Sequence, residues 1–193
     1  MIKKLNRDFC IIKYRKLPLS HPADDDSDIS FFPKFKSHYW IKLQDDSDKE
    51  EPKFILELIQ LIHNLNIENL IFLDELNKPW ITKSTAERID YKPLVESLEY
   101  FKSIGIGENF NGGVIVSYDD LRIFFPHFYT ITQCDSGFFD YHFIDENQNI
   151  LFYIHYSGEI QIITLNSQAD EDFLKQIKKT SFVDSFRENT ARI

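Results

Sequence analysis

Between residues 138 and 165 the chain alternates aromatic and β-branched positions with polar ones in three runs, 138–144, 150–156 and 159–165. Glu146-Asn147-Gln148-Asn149 and Ser157-Gly158 separate the runs with turn-forming residues. The pattern predicts an antiparallel meander. A turn centred on Asn147-Gln148 sets Asp145 opposite Ile150, Phe143 opposite Phe152 and Tyr141 opposite Ile154. A two-residue turn at Ser157-Gly158 sets Tyr156 opposite Glu159 and Ile154 opposite Gln161. With side chains alternating at period two, Phe139, Tyr141, Phe143, Ile150, Phe152, Ile154, Tyr156, Ile163 and Leu165 then share the core face. The other face carries Asp140, His142, Ile144, Leu151, Tyr153, His155, Ile160 and Ile162. It is mixed rather than polar, so another segment is expected to cover part of it.

Earlier in the chain, residues 53–65 place Phe54, Ile55, Leu58, Ile59, Leu61, Ile62 and Leu65 on one broad helical stripe that Asn66 ends. Pro93 opens a second helix with Leu94, Val95, Leu98, Phe101 and Ile104 on its face, ended by Gly105. Asp170-Glu171-Asp172 opens a third, its acids at the positive end of the helix dipole. Residues 8–15, 38–43, 69–73 and 114–116 read as strands, with 78–82 as a hairpin partner for 69–73. Residues 118–129 fit either a short helix ended near Pro126 or a strand through Arg122 and Phe125. The expected fold is α+β: a mainly antiparallel sheet, its C-terminal part a three-stranded meander, with two or three packed helices. One domain is expected over 1–193. It comprises an acidic, aromatic-rich segment at 1–52, a helix and sheet body at 53–183 and a frayed tail at 184–193.

Composition sharpens this picture at one place. The formal net charge is −9, against a background of 42% hydrophobic residues that include 18 Phe and 9 Tyr. Between Pro22 and Glu51 lie nine acids and four lysines, a net −5 that leaves only −4 for the rest of the chain. Asp24, Asp25, Asp26 and Asp28 form one acidic loop; Asp45, Asp46, Asp48, Glu50 and Glu51 form the other; Phe31, Phe32, Phe35, Tyr39 and Trp40 lie between them. Such a balance disfavours nucleic acid, whose phosphates require clustered Lys and Arg, and suits a basic protein surface. The two cysteines, Cys10 and Cys134, have neither disulfide-framework nor metal-ligand spacing. No run approaches the roughly 20 apolar residues of a membrane span, and the basic start lacks the apolar run of a signal peptide. A soluble, cytoplasmic protein without cofactor or metal is expected.

The chemical motifs each have an ordinary counterpart. Asp140, His142, Tyr153 and His155 share a predicted sheet face and invite an acid–base reading, as in a small hydrolase-like enzyme. Cross-strand pairs of these types are equally common as plain sheet contacts, and no nucleophile or oxyanion loop accompanies them. The glycines at 105, 107, 112 and 113 fit neither phosphate-loop spacing and follow a helix rather than a strand. Asp24 to Asp28 lacks the alternation of a calcium loop. No catalytic residue is assigned. The surface that remains is acidic and aromatic, with carboxylates to steer a partner and Tyr39 or Trp40 to anchor it.

A small, acidic, cysteine-poor α/β chain without catalytic motifs resembles bacterial immunity proteins that neutralise toxins of contact-dependent or type VI systems. Over residues 92–180 it is similar to SUKH-type immunity domains: a helix, the Asn111-Gly112-Gly113 turn, strands, and a closing helix with Phe173-Leu174. The Leu-Pro-x-x-Tyr segment that usually precedes that turn is missing. The resemblance implies direct binding of one cognate toxin, without chemistry of its own. A regulatory or scaffold domain is the remaining alternative.

Overall fold

Asn6 caps the first helix by accepting from the backbone N–H of Asp8 and Phe9 at 2.9 and 3.2 Å. The cap overrides the strand propensity of Ile11 and Ile12. Residues 8–15, expected as a strand, therefore belong to α1 (Arg7–Lys13) and its exit, and Cys10, Tyr14 and Leu17 are buried at helical spacing. The first strand is instead β1 (Ile2–Leu5). The computed structural model describes residues 1–21, 29–44, 51–135, 138 and 141–193. In chain order there follow β2 (Leu19–His21), β3 (Ile29–Phe31), β4 (Ser37–Leu43), α2 (Glu51–Asn64), β5 (Asn69–Asp74), α3 (Lys83–Ala86), α4 (Lys92–Ser103) and β6 (Gly113–Ser117). A 3₁₀ turn then leads into α5 (Leu121–Cys134), β7 (Tyr141–Asp145), β8 (Ile150–Ile154), β9 (Ile160–Thr164), α6 (Ser167–Ile177) and β10 (Phe182–Asp184).

Eight strands form one sheet in the order β1-β6-β5-β7-β8-β9-β4-β10, with every neighbouring pair antiparallel; β2 and β3 pair separately. Helices α2, α4, α5 and α6 cover one face over Phe72, Phe143, Phe152, Ile160 and Ile162. On the opposite face, α1 and the segment through Leu17 cover Ile71, Leu73, Ile144, Leu151 and Ile163. The fold is α+β, with a layer on each side of the sheet. More helices form than the two or three expected, because α1, α3 and α5 add to the three with clear stripes.

The meander is only half as predicted. The first hairpin keeps its expected register, with Phe143 opposite Phe152 and His142 opposite Tyr153. Asp145 closes its turn by accepting from the backbone N–H of Asn147, Asn149 and Ile150 at 3.0, 2.6 and 2.7 Å. Burial holds the Asp145 carboxyl above its ordinary value despite these bonds. The second hairpin slips by one residue: Ile154 pairs with Ile160, not Gln161. Its loop holds three residues rather than two. The Gly158 N–H donates to the His155 carbonyl at 3.0 Å and the His155 N–H to the Glu159 carbonyl at 2.9 Å. Gly158, at φ +81°, takes the left-handed position that follows a type I turn in such loops. One residue of slip inverts the strand, so Ile160 and Ile162 enter the helix-side core while Ile163 and Leu165 face the other way.

Two further expectations give way to tertiary packing. Residues 78–82 form no strand, because β6 and β7 already flank β5; Trp80 is buried there and its Nε1 donates to the Gly112 carbonyl at 2.8 Å. Residues 121–134 are a helix that runs through Pro126 instead of ending near it. The missing N–H costs less than the burial of Leu121, Phe124, Phe125 and Phe128 restores. The tail is also tied down rather than frayed. The Ala191 N–H donates to the His38 carbonyl at 2.8 Å, and Arg192 pairs with Asp184 at 3.1 Å. Phe139, Asp140 and all the acidic residues from Asp24 to Glu50 lie outside the described residues.

Candidate functional site

The ladder registers carry one row of side chains across four strands on the face away from the main helix layer. Trp40 pairs with Gln161, Gln161 with Tyr153, and Tyr153 with His142. His38 and His155 join this row. His38 Nε2 lies 2.7 Å from the Gln161 amide nitrogen, and the His155 ring lies 6.0 Å from Trp40 and 6.4 Å from Tyr153. The segment between β3 and β4 crosses above it. Phe32 meets His142 edge-on at 6.4 Å, and Phe35 meets His38 at 6.2 Å. Phe31, Phe32 and Phe35 remain 50%, 41% and 51% exposed, a concentration of exposed phenylalanine in one short segment.

Of the two expected anchors, only Trp40 belongs to this face. It is 9% exposed, and the Arg187 guanidinium lies over its ring at 3.8 Å. Tyr39 points into the helix-side core at 2% exposure, packed on Phe173 at 4.8 Å, its hydroxyl donating to Asp170 at 2.8 Å. A side chain so placed has no surface to offer a partner. Asp24, Asp25, Asp26, Asp28, Asp45, Asp46, Asp48 and Glu50 lie outside the described residues, and Glu51 opens α2. Their points of attachment are described. Ser20, just before the first acidic segment, bonds by its N–H to the Glu75 carbonyl at 3.0 Å, immediately beyond β5. The second acidic segment leaves from Gln44, beyond the end of β4. Asp74 pairs with Tyr141, Ile154 with Ile160, and Ile160 with Ile41, so both exits lie at the same end of the sheet.

The acid–base reading meets an unfavourable order of groups. His155 Nδ1 lies 2.6 Å from the Ser157 hydroxyl, and that hydroxyl donates to Glu159 at 3.1 Å. The hydroxyl thus sits between imidazole and carboxylate and sends its proton to the carboxylate. A nucleophile needs the imidazole in the middle. A second Ser–His contact, Ser97 to His127 Nδ1 at 3.1 Å, joins α4 to α5, with Ser97 buried beyond the reach of a substrate. Among the described residues no cluster of His, Cys, Asp and Glu has the geometry to hold a metal ion. No described helix is long and apolar enough to cross a membrane.

Charge on the histidines has a calculable consequence. Burial holds His38 below the ordinary value of 6.5. His155 is also lowered by burial and then by Arg187, against an opposing pull from Glu159; His127 is lowered by burial, opposed by Glu96. At these three histidines the folded state therefore binds fewer protons than the unfolded chain, while Asp145, held above its ordinary value, acts in the opposite sense at lower pH. The stability the histidines contribute is whole above the unfolded value of 6.5 and is lost as pH falls through the folded-state values. Urea midpoints are expected to drop steadily from about pH 7 to about pH 5, and His38→Gln to flatten the slope. A midpoint unchanged over that range would contradict the assignment. The lowered carboxylates Asp120, Glu159 and Asp170 act in a separate, more acidic window.

At the far end of the sheet lies a feature that sequence reasoning missed, a cleft of about 440 Å³ lined by Glu68, Asn69, Glu146, Asn149, Asn166 and Asp172 among others. None of its described lining residues is basic. Its amides are largely satisfied internally, Asn69 donating to Glu146 and Asn166 to Asn149, both at 2.9 Å. These residues come from three separate connections and from α6, which share no sequence signal.

Fold and site together define an α+β protein with a fully antiparallel sheet and an aromatic, histidine-bearing face partly covered by Phe32, Phe35 and Arg187. Comparison with known proteins finds no matching family model, curated protein or solved structure.

Proposed function

We propose that the chain is a non-catalytic, protein-binding inhibitor, an immunity protein that neutralises a cognate bacterial toxin by direct contact. The observation that carries this reading is the shared end of the sheet from which both acidic segments depart, beside a face where Phe31, Phe32 and Phe35 are exposed. Carboxylates at a rim accelerate the approach of a basic partner, and exposed aromatic rings supply area that becomes favourable once buried. The partner is a basic protein rather than nucleic acid, since the excess charge is negative.

A tagged pull-down at low and moderate salt, with mass spectrometry of the eluate, tests the reading. One basic partner at near-equal amount is expected, lethal when expressed alone and harmless when co-expressed. Absence of any stoichiometric partner at either salt would overturn it. With that partner, reversing charge at Asp24, Asp25 and Asp26 is expected to slow association and flatten its salt dependence.

A further inference from the structure

The last residues of the chain occupy a position that a partner's residue would fit. After β10, Phe186 and Asn189 take positive φ values of 58° and 59°, a conformation that non-glycine residues adopt at a cost. This backbone path brings the Arg187 side chain back over the open face. Its guanidinium lies over the Trp40 ring at 3.8 Å, and its Nε donates to Glu159 Oε1 at 3.4 Å while a second nitrogen pairs with Glu159 Oε2. A flat cation stacked on an indole and forked onto a carboxylate is the arrangement for which arginine, and not lysine, is suited.

The receiving side stands on the sheet. Trp40 is held in the sheet by its ladder partner Gln161 and by the Ser185 N–H, which donates to its carbonyl at 3.0 Å, with edge contacts to Tyr153 at 6.1 Å and His155 at 6.0 Å. Glu159 stands at the close of the β8–β9 loop, where the Ser157 hydroxyl donates to it. Burial pushes the Glu159 carboxyl up, but the bonds from Arg187 and Ser157 outweigh this and hold it below its ordinary value, so it stays ionised. The tail side is less secure. Its backbone is tied by the Ala191–His38 bond at 2.8 Å and by the packing of Ala191 and Ile193 on the core, but the Arg187 side chain itself is 37% exposed and can swing away without releasing these anchors.

We infer that Trp40 and Glu159 form an arginine-binding site, filled in the free protein by the chain's own Arg187, which an arginine of a basic partner enters by displacing the Arg187 side chain. The inference rests on the proposed basic partner only for the source of the incoming arginine. The site itself is testable without that partner.

The test is a titration of Arg187→Ala and of the unaltered chain with a capped Gly-Arg-Gly peptide and its Gly-Lys-Gly counterpart, followed by the Trp40 indole N–H resonance. The chain has two tryptophans, and Trp80, buried and bonded to the Gly112 carbonyl, gives a second indole signal that reports folding in the same spectrum. Arg187→Ala is expected to bind the arginine peptide at least tenfold more tightly than the unaltered chain, to bind the lysine peptide several-fold more weakly, and to lose binding when Glu159→Gln is added. Equal binding by both chains, or equal response to both peptides, overturns the inference. If the Trp80 signal of Arg187→Ala shows unfolding, Arg187→Lys replaces it. That variant keeps the charge on Glu159 but not the stacking, and the same tenfold comparison decides. Because the probe is a peptide, failure here leaves a captured partner standing, and failure to capture a partner leaves a positive titration standing.

Discussion

Phe143→Ala is expected to remove about 3–5 kcal/mol of stability, the largest loss from any single truncation in the sheet. Phe143 stacks on Phe72 at 4.7 Å and on Phe152 at 5.2 Å, with Phe125 at 5.6 Å and Phe128 at 6.2 Å. Its ring joins three strands to α5, and neighbours held by three strands cannot close over the cavity. Against a typical total of about 5–15 kcal/mol, such a loss brings the native state close to its unfolding limit. Urea unfolding checks the result: the midpoint should fall sharply with the slope unchanged. Phe35→Ala, which removes a half-exposed ring, should shift stability by about 0.5 kcal/mol or less. Similar losses for the two variants would contradict the placement of the core.

Gly112→Ala and Gly113→Ala should both destabilise, by about 1–3 kcal/mol each, and for different reasons. A Cβ on Gly112 would lie 2.1 Å from the Leu5 carbonyl oxygen, so β1 itself must move. A Cβ on Gly113 would lie 2.5 Å from the Cys10 Sγ, and the collision is with a side chain. Adding Cys10→Ala should therefore recover much of the loss at Gly113 and none at Gly112, a difference that a double-mutant cycle measures. Rescue of neither would show that the loss at Gly113 does not come from the Cys10 side chain, and rescue of both would show that the Gly112 loss is not set by the Leu5 carbonyl. The Asn-Gly-Gly sequence thus has a packing reason: β1 and α1 press against the start of β6.

Elements with a local cause were legible in the sequence. The stripe of α2, Pro93 ahead of α4, and the Asn147-Gln148 turn each carry their own signal within a dozen residues. The second hairpin failed because Ser157-Gly158 suits both a two-residue turn and the end of a three-residue loop, and only the conformation of Gly158 distinguishes them. In α1, Ile11 and Ile12 speak for a strand, whereas Asn6 and the spacing of Cys10, Tyr14 and Leu17 speak more quietly for the helix that forms. The candidate site was legible in part: His142, Tyr153 and His155 do share a face. That Trp40 and His38 join them, while Tyr39 turns to the core, follows from the pairing of β4 with β9, and no local pattern announces a partner so distant in the chain.

That same pairing sets a timetable for synthesis. Trp40 meets Gln161 121 residues later in the chain, and Ile2 meets Val116 114 residues later. At about 5–20 residues per second, a ribosome needs roughly 6–24 s to deliver β9 after β4 has been made. Throughout that interval the aromatic segment around Phe31, Phe32, Phe35 and Trp40 has no sheet to join. The acids on either side of it are charged flanks of the kind that keep a nascent, sticky stretch from pairing with its neighbours on a crowded polysome.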